Sequence, residues 1–194
     1  MPPGRPRFLL VLTHGAGGTP DSADLLAVRD AALGLDGMAA RVTQPYRVSG
    51  RRAPGSPGRQ DAAWLETVAA LRKRRRGLPL IQGGRSNGAR VACRTAAAAG
   101  ARAVLALAFP LHPPGRPARS RAAELVAAGT AVLVINGDRD PFGVPEPAGG
   151  IQVVVLPGET HALSRHPEAV GRAAGGWLQA EVLGGGRSRP AGPL

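Results

Sequence analysis

The sequence is poor in the residues that mark several common protein classes. Aromatic side chains make up 3% of its 194 residues, and cysteine occurs once, as Cys93. A single cysteine excludes an internal disulfide framework and is typical of a cytoplasmic protein, which is the location we predict. No apolar run is long enough to cross a bilayer, so we expect no membrane-spanning helix. The short apolar run behind the basic N-terminus also lacks the form of a signal peptide.

Acidic residues are scarce as well. There are 13 of them against 25 lysines and arginines, which gives a formal net charge of +12. Nearly all of this charge is arginine spread along the chain, and the few aromatic side chains leave few surfaces on which bases stack. The one dense cationic run, residues 72–76, ends a predicted helix, where positive charge suits the helix dipole. The composition therefore argues against a nucleic-acid partner.

Apolar runs alternate with helical segments along the chain. Runs without polar alternation are typical of strands buried on both faces of a parallel sheet. This pattern predicts an α/β fold, with about six strands in a mostly parallel sheet and helices on both faces. The predicted strands cover residues 8–13, 39–43, 78–82, 103–109, 131–136 and 151–156, and the predicted helices cover about 22–33, 60–75, 87–99, 119–128 and 167–182.

We predict one domain over residues 1–183. Residues 47–60, rich in Arg, Gly, Pro and Ser, are predicted to form a long loop, which in a compact domain is either mobile or functional. The tail over residues 184–194 is rich in Gly, Pro and Arg and is predicted to be disordered.

One short motif follows the third apolar run. It is Gly84-x-Ser86-x-Gly88, between a predicted strand and a predicted helix. This is the spacing of a nucleophile elbow, in which a strained turn projects a serine and the residues two positions away must be small. The pattern alone is weak in a chain with 28 glycines. Its position between strand and helix makes Ser86 the candidate nucleophile.

A serine nucleophile needs a base, and that base needs a carboxylate to orient it. Asp138 and Asp140 follow the fifth predicted strand, and His161 follows the sixth. The chain order Ser86, Asp140, His161 matches that of the α/β-hydrolase triad. We favour Asp140 because it lies in a Gly-x-x-Asp loop ahead of a proline, and Asp138 is the alternative acid.

The negative oxygen of a tetrahedral intermediate needs hydrogen-bond donors already in place. We predict two: the backbone N–H of Asn87 at the start of the helix after the elbow, and the backbone N–H of Ala16 in the glycine-rich stretch after the first strand. That stretch lacks the Gly-Lys-Ser/Thr of a phosphate-binding loop. His14, at its start, is predicted to bond within its own loop. The four histidines are dispersed, so neither a metal site nor a cofactor is predicted.

At these residues the chain resembles the small, cap-less α/β-hydrolases related to dienelactone hydrolase. Within them it is most similar to the hydrolase-like family of testis-expressed protein 30 and the third regulatory subunit of the non-specific lethal chromatin complex. The segment Phe-Pro-Leu-His-Pro-Pro-Gly-Arg-Pro at residues 109–117 is the most specific match. The other matching stretches are residues 13–17, 83–90, 137–143 and 160–161.

The resemblance implies a core sheet in the family's strand order without a lid domain. It also implies a hydrolase-type site at Ser86, Asp140 and His161, but it brings no substrate with it. His112 lies in the matching proline-rich loop, where it either lines the pocket or bonds loops together.

Two functions follow from these patterns. The first is a serine hydrolase that acts on a small-molecule acyl substrate. The alternative is a non-catalytic binding module for a polyanion or a protein partner, which the basic composition and the relatives in chromatin complexes favour. Arg85 and Arg90, beside the serine, are a faint hint of an acidic substrate. The sequence does not predict the oligomeric state.

Overall fold

The computed structural model describes residues 5–51 and 53–184. Within them the chain forms one sheet of six parallel strands, in the order β2-β1-β3-β4-β5-β6. The predicted α/β fold and strand number are confirmed. The strands are β1 (Leu9–Thr13), β2 (Met38–Val42), β3 (Leu80–Arg85), β4 (Ala103–Leu107), β5 (Ala131–Gly137) and β6 (Ile151–Leu156).

Helices cover both faces of this sheet. They are α1 (Ala23–Gly34), α2 (Pro45–Val48), α3 (Pro57–Arg74), α4 (Asn87–Ala99), α5 (Ala122–Val126) and α6 (Pro167–Leu178), the last followed by a π-helical turn (Gln179–Leu183). On one face, α1 and α6 pack against each other and bury Leu25, Val28 and Trp177 with the strands. On the other face α3, α4 and α5 form the layer. The four central strands β1, β3, β4 and β5 are buried on both faces, which explains why their sequences are largely apolar without alternation.

The structure differs from the sequence predictions mainly between β2 and α4. The predicted loop over residues 47–60 is shorter than expected because α2 precedes it and α3 begins at Pro57. Proline begins both helices, as suits its fixed φ and missing N–H. Helix α5 is half the predicted length. Of the predicted tail over residues 184–194, all but Gly184 lies outside the described residues.

The strand order creates a crevice between β1 and β3. From β1 the chain crosses to β2 on one side, whereas from β3 it crosses to β4 on the other side. Ligands of open parallel sheets bind at such a switch point, at the carboxyl ends of the strands. The glycine-rich stretch after β1 and Ser86 after β3 therefore emerge side by side. Among the described residues, every helix is too short or too polar to traverse a membrane.

The core at β4 gives a test of the packing. Leu105 lies on this central strand and is 0% exposed. We expect Leu105→Ala to lower the free energy of unfolding by about 2–5 kcal/mol, because it removes buried methyl groups and leaves a cavity. Urea denaturation followed by circular dichroism measures this. Val126→Ala is the control, since Val126 is 68% exposed, and similar losses for both variants would contradict the described core.

Candidate active site

Ser86 is the single residue between a strand and a helix. Strand β3 ends at Arg85 and helix α4 begins at Asn87. The serine backbone has φ 52° and ψ −113°, a conformation that L-residues rarely adopt. Its N–H donates to the carbonyl of Leu107 on β4 at 2.9 Å, and its carbonyl accepts from Arg90 N–H at 3.2 Å. These bonds hold the strained turn in place, and such strain costs on the order of 1–3 kcal/mol.

The two glycines of the motif are required by close packing. A Cβ added at Gly84 would lie 2.7 Å from the carbonyl oxygen of Thr13. One added at Gly88 would lie 2.7 Å from the same oxygen and 2.8 Å from that of His14. The first turn of α4 therefore sits directly on the end of β1, which is possible only without side chains at these two positions.

The structure brings three of the predicted residues together. His161 Nε2 lies 2.9 Å from Ser86 Oγ, and His161 Nδ1 lies 2.8 Å from Asp140 Oδ2. The Asp140 side chain is fully buried, whereas that of His161 is 19% exposed. Asp138, the alternative acid, instead accepts the Gly158 N–H at 2.8 Å on the surface. Serine, imidazole and the Asp140 carboxylate thus form one continuous chain of hydrogen bonds.

The Asp140 carboxylate is oriented from several sides. Its Oδ1 accepts the Phe142 N–H at 2.9 Å, and its Oδ2 accepts from Asn136 Nδ2 at 3.3 Å. The Phe142 ring packs on the His161 imidazole, with 4.3 Å between ring centroids. Asn136 is fully buried and also bonds both the N–H and the carbonyl of Phe109. It was not among the predicted site residues, although a polar residue at the end of an apolar strand is a signal that points to it.

Arg85 connects the loop of His161 to helix α1. Its Nη2 donates to the backbone carbonyl of His161 at 2.7 Å. Its Nε lies 3.0 Å from Oδ2 of Asp24 on α1, which is 1% exposed. This contact is an ion pair rather than a hydrogen bond, because the N–H is not directed at the oxygen. Burial raises the pKa of Asp24, and its neighbours Ser22 and Arg85 oppose that rise.

The structure gives Arg85 and Arg90 protein partners, and it provides no support for the acidic-substrate role that the sequence suggests for them. Arg85 is turned inward to Asp24 and the His161 loop. Arg90 makes a two-pronged pair with Glu124 on α5, at 2.8 and 2.6 Å. Each guanidinium group therefore pairs with a protein carboxylate, which gives both arginines a structural role.

The two predicted oxyanion donors lie at the crevice. Neither the Ala16 N–H nor the Asn87 N–H has an acceptor within the described part of the chain. The Tyr46 hydroxyl donates to the Ala16 carbonyl at 2.9 Å, and Asn87 Nδ2 donates to Gln60 Oε1 at 2.7 Å. These bonds fix the residues that carry the two N–H groups. Their role toward a substrate remains a prediction.

Two other histidines connect loops. Gln44 N–H donates to His14 Nε2 at 3.0 Å, so Nδ1 carries the proton and donates to the Gly15 carbonyl at 2.8 Å. Burial lowers the pKa of His14, which favours this neutral form. His112 packs against Gly143 with no room for a Cβ between them, and its N–H donates to the Phe142 carbonyl at 3.0 Å. Of the two roles predicted for His112, the structure supports the bonding of loops.

The described residues contain no group of three His, Cys, Asp or Glu side chains that could hold a metal ion. Cys93, on α4, is fully buried. Burial, with Glu124 nearby, raises the pKa of its thiol to about 12. The side chains that meet at the crevice are a hydroxyl, an imidazole and a carboxylate.

Comparisons with known proteins identify the family and the fold of the chain. Residues 6–164 match the model of a family described as an alpha/beta hydrolase domain. No curated protein matches the chain significantly. A dienelactone hydrolase from Anabaena variabilis is 18% identical with a TM-score of 0.72, over 94% of this chain and 89% of its own.

Two proteins from Xanthomonas campestris have the same fold. An alpha/beta serine hydrolase without a lid is 18% identical with a TM-score of 0.69, over 100% of this chain and 88% of its own. A protein described as a hydrolase of the alpha/beta superfamily is 21% identical with a TM-score of 0.68, over 90% of this chain and 99% of its own. At these identities the likeness shows the fold.

The glycine packing predicts a large effect of one methyl group. We expect Gly88→Ala to lower the unfolding midpoint strongly or to prevent folding, because the added Cβ meets two backbone oxygens that cannot move. Gly176→Ala on α6 is the control, since a Cβ there meets nothing within 4 Å. Alanine at such a helical site is expected to stabilise by about 0.4–1 kcal/mol. Equal thermal midpoints for the two variants would contradict the described elbow.

The thiol gives a second prediction. With a pKa of about 12, Cys93 is expected to be almost entirely protonated at pH 8, where only about one thiol in ten thousand is ionised. We expect no alkylation of the native protein by iodoacetamide at that pH, and complete alkylation in guanidinium chloride. Mass spectrometry of the intact protein measures both. Rapid labelling of the native protein would mean that Cys93 is accessible and reactive.

Proposed function

Because the chain belongs to the alpha/beta hydrolase family, we propose that it is a serine hydrolase that cleaves an ester, thioester or amide through an acyl intermediate on Ser86. The observation that carries this proposal is the unbroken chain of hydrogen bonds from Ser86 Oγ through His161 to Asp140. A serine hydroxyl is a weak nucleophile unless a base accepts its proton as it attacks. This arrangement supplies that base at 2.9 Å.

In the proposed reaction, His161 Nε2 takes the proton of Ser86 as Oγ bonds to the substrate carbonyl carbon. The carbonyl oxygen becomes negative and accepts hydrogen bonds from the N–H groups of Ala16 and Asn87. One such donor is worth a factor of about 10²–10³ in rate. Asp140 stabilises the imidazolium through Nδ1–H. The proton then passes to the leaving group, and water attacks the acyl ester by the same route in reverse.

The finer affiliation belongs to the same proposal. The proline-rich loop at residues 109–117 and the Gly-Gly-Arg-Ser motif support a place near testis-expressed protein 30 and the third regulatory subunit of the non-specific lethal complex. The contacts of Arg85 with the His161 carbonyl and Asp24 explain why this motif has an arginine before the serine. Cytoplasmic location stays a prediction that rests on the single cysteine.

An activity-based probe tests the proposal. We expect a fluorophosphonate to label the native protein with one equivalent and Ser86→Ala to abolish labelling, because the phosphorus bonds to the activated serine oxygen. Asp140→Asn is expected to lower the rate of labelling and of ester hydrolysis by a factor of roughly 10⁴, as loss of the triad acid does in other serine hydrolases. Gel fluorescence and hydrolysis of activated esters provide the measurements.

Asp138→Asn is the matched control, since it removes a carboxylate from the same loop without touching His161. Its rate is expected to stay near that of the unmodified chain. A well-folded protein that resists the probe at neutral pH would contradict the proposal and favour the non-catalytic binding module. Equal losses in the two aspartate variants would contradict the assignment of the acid.

A further inference from the structure

A cavity of about 360 Å³ opens beside the elbow, on the face of the sheet covered by α3 and α4. Gln44 and Gln60 lie on its wall, and both side-chain oxygens accept from Asn87 Nδ2, at 3.4 and 2.7 Å. Because Asn87 directly follows the proposed nucleophile, these two hydrogen bonds place the wall of the cavity next to the residue after Ser86. Its volume is within the range of small-molecule sites.

The wall of this cavity is apolar in its chemistry. Val42, Trp64 and Val91 contribute hydrocarbon and ring surface. Its polar side chains already donate hydrogen bonds within the protein: Gln44 to the His14 carbonyl, Tyr46 to that of Ala16, Ser49 to that of Tyr46, Gln60 to that of Gly55, Trp64 to Gln82 and Thr67 to the Ala63 carbonyl. An apolar ligand leaves every one of these bonds intact. The strongest donors on the wall outside them are the guanidinium groups of Arg51 and Arg59.

Charge on the wall is confined to its exposed part. Arg51 and Arg59 line the cavity and are solvent-exposed, and no carboxylate lines it among the described residues. Arg59 is in the first turns of α3, near the edge of the sheet that carries Ser86, whereas Thr67 lies further along the helix. From Gln60 to Thr67 the helix descends roughly 10 Å at 1.5 Å per residue. The cavity therefore has a charged mouth and an apolar interior.

Its direction from Ser86 is fixed by the strand order. The cavity is built on β2, α2, α3 and α4, whereas His161 and Asp140 follow β6 and β5, on the other side of β3. In the proposed reaction the leaving group must lie next to His161, because the imidazole delivers a proton to it. The acyl group is therefore the part of the substrate that faces the cavity.

We infer that this cavity is an acyl-chain pocket and that the substrates are esters or thioesters of a medium-length apolar acyl chain, rather than acetyl-like ones. This inference rests on the proposed function. The chain occupies the space between Trp64 and Val91, with its carbonyl at Ser86. Each methylene that enters the cavity contributes about 0.8 kcal/mol, which is roughly a fourfold gain in kcat/KM while further methylenes fit.

A series of 4-nitrophenyl esters with a common leaving group tests the inference. We expect kcat/KM to rise steadily from the acetate to the octanoate. Ala63→Leu places extra methyl groups inside the cavity, so it is expected to lower kcat/KM for the octanoate at least tenfold and to leave the acetate within about twofold. Ala62→Leu is the matched control on the exposed side of the same helix, and it is expected to change neither ester.

A binding measurement separates this inference from the proposed function. Ser86→Ala cannot form the acyl intermediate but keeps the cavity. In a Trp177→Phe background Trp64 is the only tryptophan, so its fluorescence reports the cavity directly. We expect octanoate to change this signal saturably, acetate to leave it unchanged, and Ala63→Leu to remove the response to octanoate.

The outcomes distinguish the two claims. A flat ester series, together with equal behaviour of Ala63→Leu and Ala62→Leu, would overturn the acyl-chain pocket while leaving a serine hydrolase. An absence of any hydrolysis alongside saturable octanoate binding would overturn the proposed function while supporting the pocket. An absence of octanoate binding to the Ser86→Ala protein would overturn the pocket independently of catalysis.

Discussion

The whole site depends on how closely the first turn of α4 approaches the end of β1. Gly84 and Gly88 lie against the Thr13 carbonyl, where a Cβ on either glycine would lie 2.7 Å from the oxygen. This contact forces the backbone between β3 and α4 into its strained turn. It also brings the glycine-rich stretch after β1 next to Ser86: a Cβ at Gly15 would lie 3.2 Å from that of Ser86. The serine and the N–H groups of Ala16 and Asn87 are therefore positioned by the same packing.

A second constraint holds the partners of the serine. The loops that carry Asp140 and His161 leave β5 and β6, and Gly137 packs against the Glu159 backbone with no room for a side chain. In the first loop, Asn136 Nδ2 donates to the Asp140 carboxylate and to the Gly143 carbonyl. In the second loop, Arg85 donates to the carbonyl of His161. The elbow therefore contacts the histidine loop through two side chains, those of Arg85 and Ser86. We expect the strain at Ser86 to persist because these surroundings leave it no relaxed alternative.

The sequence was sufficient to predict the fold, the six strands and the residues that meet at the crevice, because apolar runs and small-residue turns are local signals. It could not predict which partner a buried charge would find. Arg85 and Arg90 were interpreted from their closeness to Ser86, whereas Asp24 and Glu124, which pair with them, lie 61 and 34 positions away along the chain. The acyl-chain pocket was also missed. Its walls come from β2, α2, α3 and α4, and its polar residues are satisfied by contacts that only the folded chain creates.

The proposed reaction requires that Ser86 carry the acyl group during turnover. Acid quenching during hydrolysis of 4-nitrophenyl octanoate, followed by tryptic digestion and mass spectrometry, measures this most directly. Cleavage after Arg85 and Arg90 releases residues 86–90 as a single short peptide with one hydroxyl side chain. We expect this peptide to gain the mass of one octanoyl group and to lose it as substrate is exhausted. Hydrolysis with the acyl group on another peptide, or on none at any time during turnover, would contradict the proposed reaction.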